Sequence, residues 1–137
     1  MTVIWWDTRE QLKLITTAGV TLVRVTLKEG DYTTQKLFDT ARIERKSPSD
    51  LVGSLTHGRQ RFEREADRLL KYPFRCIVVE GSAADVSRIG RIHPNALLGS
   101  LASLHARWGL PTIFLENREA LGSYICGVLR RLEEAVK

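Results

Sequence analysis

A continuous apolar run near the middle of the chain constrains the fold most. Residues Phe74 to Val79 are apolar except for Arg75, and the run ends at Glu80-Gly81. A strand that is apolar on both faces is typical of the centre of a sheet that is covered on both sides. The chain has 137 residues, of which 43% are hydrophobic, which is enough for one domain with such a core. We therefore predict a single α/β domain, residues 1–137, in three layers: a central mixed sheet flanked by helices.

Side-chain alternation and β-branched content predict the other strands. The first four predicted strands lie close together in the sequence, and we expect them to begin the domain as a β-meander. A hairpin turn is predicted at Asp39-Thr40. The predicted strands are Val3–Trp6, Thr21–Leu27, Thr33–Phe38, Ala41–Lys46, Phe74–Val79 and Thr112–Leu115.

Apolar residues at helical spacing, together with capping residues, predict the helices. Ser47 followed by Pro48 is typical of a helix start, and Asn117 is predicted to cap the last helix. Ser82 to His93 is rich in small and basic residues, and we expect it to be the least ordered stretch. The predicted helices are Arg9–Ala18, a short one from Pro48 carrying Leu51, Val52 and Leu55, Gly58–Lys71, Asn95–Trp108, and a final one with Leu121, Ile125, Val128 and Leu132.

The charge balance and the lack of long apolar segments bear on partners and compartment. A formal net charge of +5 indicates either an anionic partner, nucleic acid above all, or simply a soluble basic protein, and charge alone leaves both open. No apolar run approaches the ~20 residues needed to span a bilayer. The first residues lack a basic leader and a cleavage site. We therefore expect an intracellular, cytoplasmic protein with no membrane partner.

The cysteines and histidines do not form a recognisable metal or redox motif. Cys76 and Cys126 are far apart in the sequence, and we expect free thiols. The three histidines lack a zinc-ligand spacing, and we expect surface or capping roles for them. They are His57, His93 and His105.

Two short sequence motifs indicate a functional site. Asp31 follows Gly30 in a predicted turn, and twelve residues separate it from the string Glu44-Arg45-Lys46. Successive side chains on a strand point to opposite faces, so Glu44 and Lys46 share one face. If the strand after Asp31 pairs as a hairpin with the strand of Glu44, two carboxylates meet. Two carboxylates can hold a divalent cation and a lysine can orient a water, which is a minimal apparatus for cutting a phosphodiester bond.

Further acids lie at or just beyond predicted strand ends in the first half of the chain. Taken singly, each has another interpretation: Asp7 could cap a helix, and Glu44 with Lys46 could form an ion pair on an exposed face. Taken together they favour a site. The five acids are Asp7, Glu10, Asp31, Glu44 and Asp50.

These strings resemble the signature of the XPF-type nuclease family. The signature is V/I-x-x-D-x-R-E, then G-D, then E-R-K-x-x-x-D. The resemblance implies a restriction-endonuclease-like fold through the whole chain. The matching strings are Val3-Ile4-Trp5-Trp6-Asp7-Thr8-Arg9-Glu10, Gly30-Asp31, and Glu44-Arg45-Lys46-Ser47-Pro48-Ser49-Asp50.

The resemblance also implies roles for single residues. Metal-site acids for Mg²⁺ or Mn²⁺ would be Asp7, Asp31 and Glu44, and the catalytic lysine would be Lys46. Residues that support the site or touch the phosphate would be Arg9, Glu10, Arg45 and Asp50.

The resemblance implies DNA as partner, cut in branched, flap or fork form. Candidate phosphate contacts are Arg59 on a helix and Arg88 and Arg91, with His93, in the small-residue stretch. For the helix, the alternative is that its charges form i,i+4 surface pairs, such as Arg61 with Glu65.

The sequence leaves open whether the protein forms a dimer and whether it is catalytically active. We expect the short phage or bacterial form, without the helix-hairpin-helix module of larger members, so a separate partner could supply DNA binding. The final helix could pair with a second copy as a homodimer, or it could cover the sheet. A non-catalytic DNA-binding or scaffold subunit is the main alternative to an endonuclease, and a general or RNA-directed nuclease is a weaker one. The retained acids and lysine favour activity.

Overall fold

The computed structural model describes residues 1–136, and in that range it forms one sheet of six strands with helices on both faces. The strand order is β2-β1-β3-β4-β5-β6. The strands are β1 (Thr2–Asp7), β2 (Val20–Val25), β3 (Tyr32–Thr33), β4 (Ala41–Lys46), β5 (Phe74–Glu80) and β6 (Thr112–Leu115). The helices are α1 (Pro48–Leu55), α2 (Arg59–Leu69), α3 (Ala83–Gly90), α4 (Pro94–Trp108) and α5 (Arg118–Ala135).

The sheet is mixed and lies between two helical layers, as predicted. β3 pairs antiparallel with both β1 and β4, whereas β4, β5 and β6 run parallel to one another. The central run is buried on both faces: Cys76 and Val78 belong to the core under α5, while Ile77 and Val79 belong to the core under α1 to α4. Burial on both sides explains why this strand has no polar alternation.

The predicted β-meander and the helix Arg9–Ala18 are wrong. β2 runs parallel to β1, so the chain must cross over between them, and residues 10–17 do so without regular structure. The crossover lies directly on α5, because a Cβ added at Gly122 would come 2.0 Å from the carbonyl oxygen of Ile15. Leu12 packs against the core while Ile15 is 49% exposed, so the two residues whose spacing predicted the helix do not share one buried face.

The predicted strand Thr33–Phe38 is also wrong beyond its first residue. Only Tyr32–Thr33 is extended, and the chain then turns. Backbone bonds from Leu37 N to the Thr34 oxygen and from Ala41 N to the Leu37 oxygen, 3.2 and 3.0 Å long, form this turn. Threonine side chains bond to backbone in the same turn, which offers an alternative to strand pairing.

The stretch predicted to be least ordered contains helix α3. The Ser82 side chain accepts from Asp85 N, and the Asp85 side chain accepts from Ser82 N, which is a capping box. The small residues that suggested disorder therefore lie in a capped helix.

The other helices lie where they are predicted, and the bounds given for two of them, Gly58–Lys71 and Asn95–Trp108, are within two residues of the observed ends. Ser47 caps α1 with Pro48 at its first position, and Asn117 caps α5. Gly109 ends α4 in a left-handed conformation, with φ +57. His93 caps α4, and both cysteines are free and buried. Within residues 1–136, no helix combines the length and apolarity needed to cross a membrane.

Candidate active site

Backbone hydrogen bonds bring three acidic residues to one edge of the fold. Asp7 ends β1, Asp31 precedes β3 and Glu44 lies in β4. The backbone N–H of Asp7 donates to the Asp31 carbonyl at 2.9 Å, and that of Asp31 donates to the Ile43 carbonyl at 2.8 Å. The antiparallel pairing of Tyr32 with Ile43 confirms the hairpin expected between the Asp31 and Glu44 segments.

A buried arginine shapes the turn that leads into Asp31. Arg42 is 1% exposed, its Nε donates to the Glu29 carbonyl at 2.9 Å, and its guanidinium carbon lies 4.3 Å from the centroid of the Tyr72 ring. Gly30 adopts φ +77, and a Cβ there would lie 3.0 Å from the Arg42 Cβ. Glycine is thus required by conformation and by space.

The acids face a cleft of about 470 Å³. All eight residues predicted for the catalytic machinery and its support line it: Asp7, Asp31, Glu44, Lys46, Arg9, Glu10, Arg45 and Asp50.

Asp31 and Glu44 form a closely coupled pair of carboxyl groups. Burial raises the pKa of Asp31 to about 6, against a usual 3.8, even though its Oδ2 accepts the Arg45 N–H at 2.7 Å. Burial, followed by the charge of Asp31, raises the pKa of Glu44 well above its ordinary value. The pair therefore favours the binding of a proton or a cation.

Asp7 is held differently. It is 2% exposed, its Oδ1 accepts from Leu27 N at 2.8 Å, and its Oδ2 accepts from Arg9 Nε at 2.8 Å. Burial alone would raise the pKa of Asp7, but the bonds from Arg9 and Leu27 outweigh it and lower that pKa. Asp7 is therefore ionised, and both of its oxygens are engaged.

Lys46 lies under α2. Its Nζ is 4.8 Å from the centroid of the Phe62 ring, and its charge counteracts the upward shift of the Glu44 pKa. The aromatic ring holds the ammonium group on the same face of β4 as Glu44.

The donor set of the cleft fits a divalent cation in part. Paired carboxylate oxygens are what Mg²⁺ and Mn²⁺ prefer, and Asp31 and Glu44 supply them side by side. Among the described residues 1–136, no group of three or more His, Cys, Asp and Glu side chains is placed to hold a metal. Asp31 and Glu44 would hold such a cation, whereas both oxygens of Asp7 are already bonded to Leu27 N and Arg9 Nε.

Glu10 and Arg45 lie on the opposite face of the strand ends and tie β1 to β4. Arg45 donates from Nε and Nη2 to the two Glu10 oxygens at 2.8 and 2.7 Å, and the Tyr32 hydroxyl donates to Glu10 at 3.4 Å. Burial would raise the pKa of Glu10, but the Arg45 hydrogen bonds outweigh it and lower that pKa. This bidentate pair supports the site from behind.

The model of one known protein family matches most of the chain. A family model described as the ERCC4 domain matches residues 6–128. The chain belongs to the ERCC4 domain family. The resemblance to XPF-type proteins and the restriction-endonuclease-like fold are thereby confirmed.

Two solved structures of XPF from Aeropyrum pernix resemble this ERCC4 domain, each with a TM-score of 0.79. One is 27% identical and covers 95% of this chain and 61% of its own. The other, a complex with DNA, is 26% identical and covers 98% of this chain and 66% of its own.

A curated relative from Methanocaldococcus jannaschii, with the name "Putative ATP-dependent RNA helicase MJ1505", is 34% identical over 94 residues. The match covers 69% of this chain but 11% of that protein. The chain thus spans less than two thirds of each of these relatives.

Sequence reasoning missed several residues that line the cleft of this ERCC4 domain. The sequence predicts a helix of mixed charge at α2. It does not show which face of that helix is turned toward the site. The spacing of Glu65 and Leu69 from the buried Phe62 was the available signal. The missed residues are Gln11, Lys28, Glu29, Glu65, Arg68 and Leu69.

Arg24 was also missed. Its Nη1 donates to the carbonyls of Asp7, Thr8 and Glu10 at 2.9, 2.9 and 2.8 Å, which fixes the chain as it leaves β1.

The three arginines predicted to contact DNA do not line the cleft. Arg59 pairs with Glu63 at 3.2 Å, and Arg88 pairs with Asp85 at 3.1 Å. Arg91 is the exposed, left-handed cap of α3, with φ 54. Their contacts with DNA stay a prediction.

The ion pair suggested between Arg61 and Glu65 is not found among the described residues. The i,i+4 pair on α2 joins Arg59 to Glu63 instead.

Proposed function

We propose that this chain is a metal-dependent DNA endonuclease that hydrolyses phosphodiester bonds in branched, flap or fork DNA. The observation that carries the proposal is the coupled Asp31–Glu44 pair beside Lys46 in a solvent-accessible cleft. Family membership and the similarity to XPF from Aeropyrum pernix, one structure of which is a DNA complex, support DNA as the substrate.

In this proposal, Asp31 and Glu44 hold Mg²⁺ or Mn²⁺, and Asp7 contributes through a water. The bound ion would polarise the scissile phosphate and lower the pKa of a bound water. The Lys46 ammonium orients the attacking water or stabilises the negative charge that develops on the phosphate. The Glu10–Arg45 pair keeps the ends of β1 and β4 in register, so the acids keep their spacing.

Basic residues at the cleft rim would bind the DNA backbone. Lys28 and Arg68 line the cleft, are exposed and form no ion pair among the described residues, whereas Arg9 is engaged with Asp7 and the Leu27 carbonyl. Phosphate contacts of this kind position DNA without reading its sequence. We propose that residues 1–137 act as a single nuclease domain.

The alternative is a non-catalytic DNA-binding or scaffold subunit. One observation favours it: Asp7 is fully engaged with Arg9 and Leu27, so three acids are not gathered around one point.

A cleavage panel separates the two functions. The wild-type chain, Asp31→Asn and Glu44→Gln are incubated with labelled flap, fork, junction, duplex and single-stranded DNA, and with RNA, in Mg²⁺, Mn²⁺ or chelator. We expect metal-dependent cleavage of a branched substrate by the wild type. Each variant lacks a carboxylate that would hold the metal ion, so the negative charge that develops on the phosphate in the transition state is less well balanced. We expect the cleavage rate of each variant to be lower by about a thousandfold or more.

Binding measured without metal is the control, and both variants should keep the wild-type affinity for DNA. No cleavage of any substrate with either metal would support the scaffold function. Cleavage by a protein that carries both Asp31→Asn and Glu44→Gln would show that the acids are wrongly assigned.

A homodimer stays a proposal. The apolar stripe of α5 covers the sheet of its own chain, because Leu121, Ile125 and Leu129 are fully buried there. Light scattering of the purified chain tests whether it dimerises, and titration with DNA-binding candidates tests for a separate partner.

A further inference from the structure

Glu65 lies outside the motif strings but faces the proposed site. Phe62, Glu65 and Leu69 follow one face of α2, and Phe62 and Leu69 are each 3% exposed. This face lies over β4, where the Phe62 ring contacts the Lys46 ammonium. Glu65 is half-buried between them and lines the cleft together with Asp31 and Glu44.

The charge of Glu65 is not neutralised within its helix. Among the described residues, no Lys, Arg or His side chain comes within ion-pair distance of it, whereas Glu63 pairs with Arg59 at 3.2 Å. The Glu65 carboxylate instead lines the same cleft as Glu44 and adds to the upward shift of the Glu44 pKa, whose larger causes are burial and the charge of Asp31. An uncompensated carboxylate beside two others is unfavourable unless a cation or an ordered water joins them.

Direct ligation does not fit the geometry. Within residues 1–136 no three acids are grouped closely enough to bind one ion directly. Mg²⁺ and Mn²⁺ retain several of their waters in protein sites, and acceptors for those waters fix the ion's position. Glu65 reaches the cleft from α2, whereas Asp7 reaches it from the end of β1.

We propose that Glu65 is a positioning residue that accepts a hydrogen bond from a water on the cation held by Asp31 and Glu44. The inference rests on the proposed function and adds a fourth carboxylate to it, contributed by α2. Asp7 would hold the hydrated ion from the β1 side and Glu65 from the α2 side.

The test is a calorimetric titration with Mn²⁺ alone, using the full chain. Wild type, Glu65→Gln, Glu63→Gln and Asp31→Asn are compared, and Glu63→Gln is the matched control on the same helix outside the cleft. Glu65→Gln keeps an acceptor oxygen but loses the negative charge that strengthens the bond from a metal-bound water, so we expect it to weaken Mn²⁺ binding about tenfold. Glu63→Gln should bind like wild type, and Asp31→Asn should show no binding.

Two further readouts distinguish positioning from a structural role. The free energy of unfolding without metal should be equal or higher in Glu65→Gln, because a charge repulsion is removed. Cleavage by Glu65→Gln should recover at saturating Mn²⁺, and Glu65→Asp should restore part of the affinity.

The outcomes separate this inference from the proposed function. If Glu65→Gln binds Mn²⁺ within about twofold of wild type, well short of the usual outer-sphere loss, or is destabilised without metal, the Glu65 role is wrong. The Asp31-dependent site would then still stand. If the wild type binds no Mn²⁺ at all, both proposals are overturned.

Discussion

Asp31 and Glu44 place two carboxyl groups where burial disfavours their charge, and the fold compensates only in part. Asp31 accepts one backbone N–H and Glu44 has Lys46 nearby. By contrast, Asp7 and Glu10 are ionised because arginines bond to them directly. Neighbouring acids therefore differ: two are stabilised as anions, and two are poised to take up a proton or a cation.

This difference predicts a pH dependence of stability. An acid whose pKa is raised by folding stabilises the fold at low pH, and that contribution is lost as pH rises from the unfolded to the folded pKa. For Asp31 the loss starts near the usual 3.8 and runs through about 6. We therefore expect the free energy of unfolding of wild type, minus that of Asp31→Asn, to fall across this window in the absence of metal.

Urea denaturation at a series of pH values, with chelator, measures this difference. Subtraction cancels the opposite contributions of Asp7 and Glu10, whose lowered pKa values make stability fall as pH falls. If the free energies of unfolding of wild type and Asp31→Asn differ by a constant amount from about pH 4 to 7, the raised pKa of Asp31 is contradicted. Added Mn²⁺ should stabilise the wild type most at the upper end of the range, where no proton is displaced.

At the scale of elements, the contact between the crossover and α5 replaces the helix that local spacing predicted. Gly122 allows the backbone of Ile15 to touch α5. A side chain there must push the crossover away, and the crossover leads out of the Asp7–Glu10 corner of the site. Packing between elements therefore overrides the helical periodicity of residues 9–18.

Substitution of two helical glycines tests this packing. Gly122→Ala should lower the free energy of unfolding by about 1–3 kcal/mol, because the new Cβ meets backbone rather than a flexible side chain. Gly99→Ala is the control, since nothing lies within 4 Å of a Cβ at Gly99. That change should stabilise α4 by about 0.5–1 kcal/mol through lower unfolded-state entropy. Equal denaturation midpoints for the two variants would show that the crossover yields freely.

At the scale of the whole molecule, the net charge is +5, but the cleft is lined by seven acidic residues and five basic ones. Arg45 is committed to Glu10, and Arg9 is paired with Asp7. Lys28, Lys46 and Arg68 line the cleft with no ion pair among the described residues. The cleft can thus offer these three cations to DNA phosphates.

Salt dependence measures how many phosphates the protein neutralises. In the Asp31→Asn background without metal, log affinity against log salt should have a slope of roughly −3, at about 0.9 per phosphate. Arg68→Ala should reduce the slope by about one such unit. Arg88→Ala, outside the cleft, should leave it unchanged. The reverse pattern would place DNA on the surface of Arg59, Arg88 and Arg91 instead.

Features of the fold that depend on residues close together in the sequence could be predicted, and those that depend on distant residues could not. Helix α1 was found from Ser47 and Pro48, and β4 from its alternation, because these signals act within a few residues. The capping box of α3 was just as local and was overlooked. The turn after β3 was predictable only in part, because the bond from Leu37 N to the Thr34 hydroxyl is local, whereas the Thr33 hydroxyl donates to the Ala41 carbonyl eight residues away.

The sequence by itself determined the family, the fold class and the order of the acidic and basic strings, since these are properties of residue identity and spacing. Only the tertiary structure decided that Asp31 adjoins Glu44, that Arg9 and Leu27 hold Asp7, and that α2 turns Glu65 toward the cleft. The physical reason is distance along the chain. Long-range packing of β1, β3, β4 and α2 sets these contacts, and no local propensity encodes them.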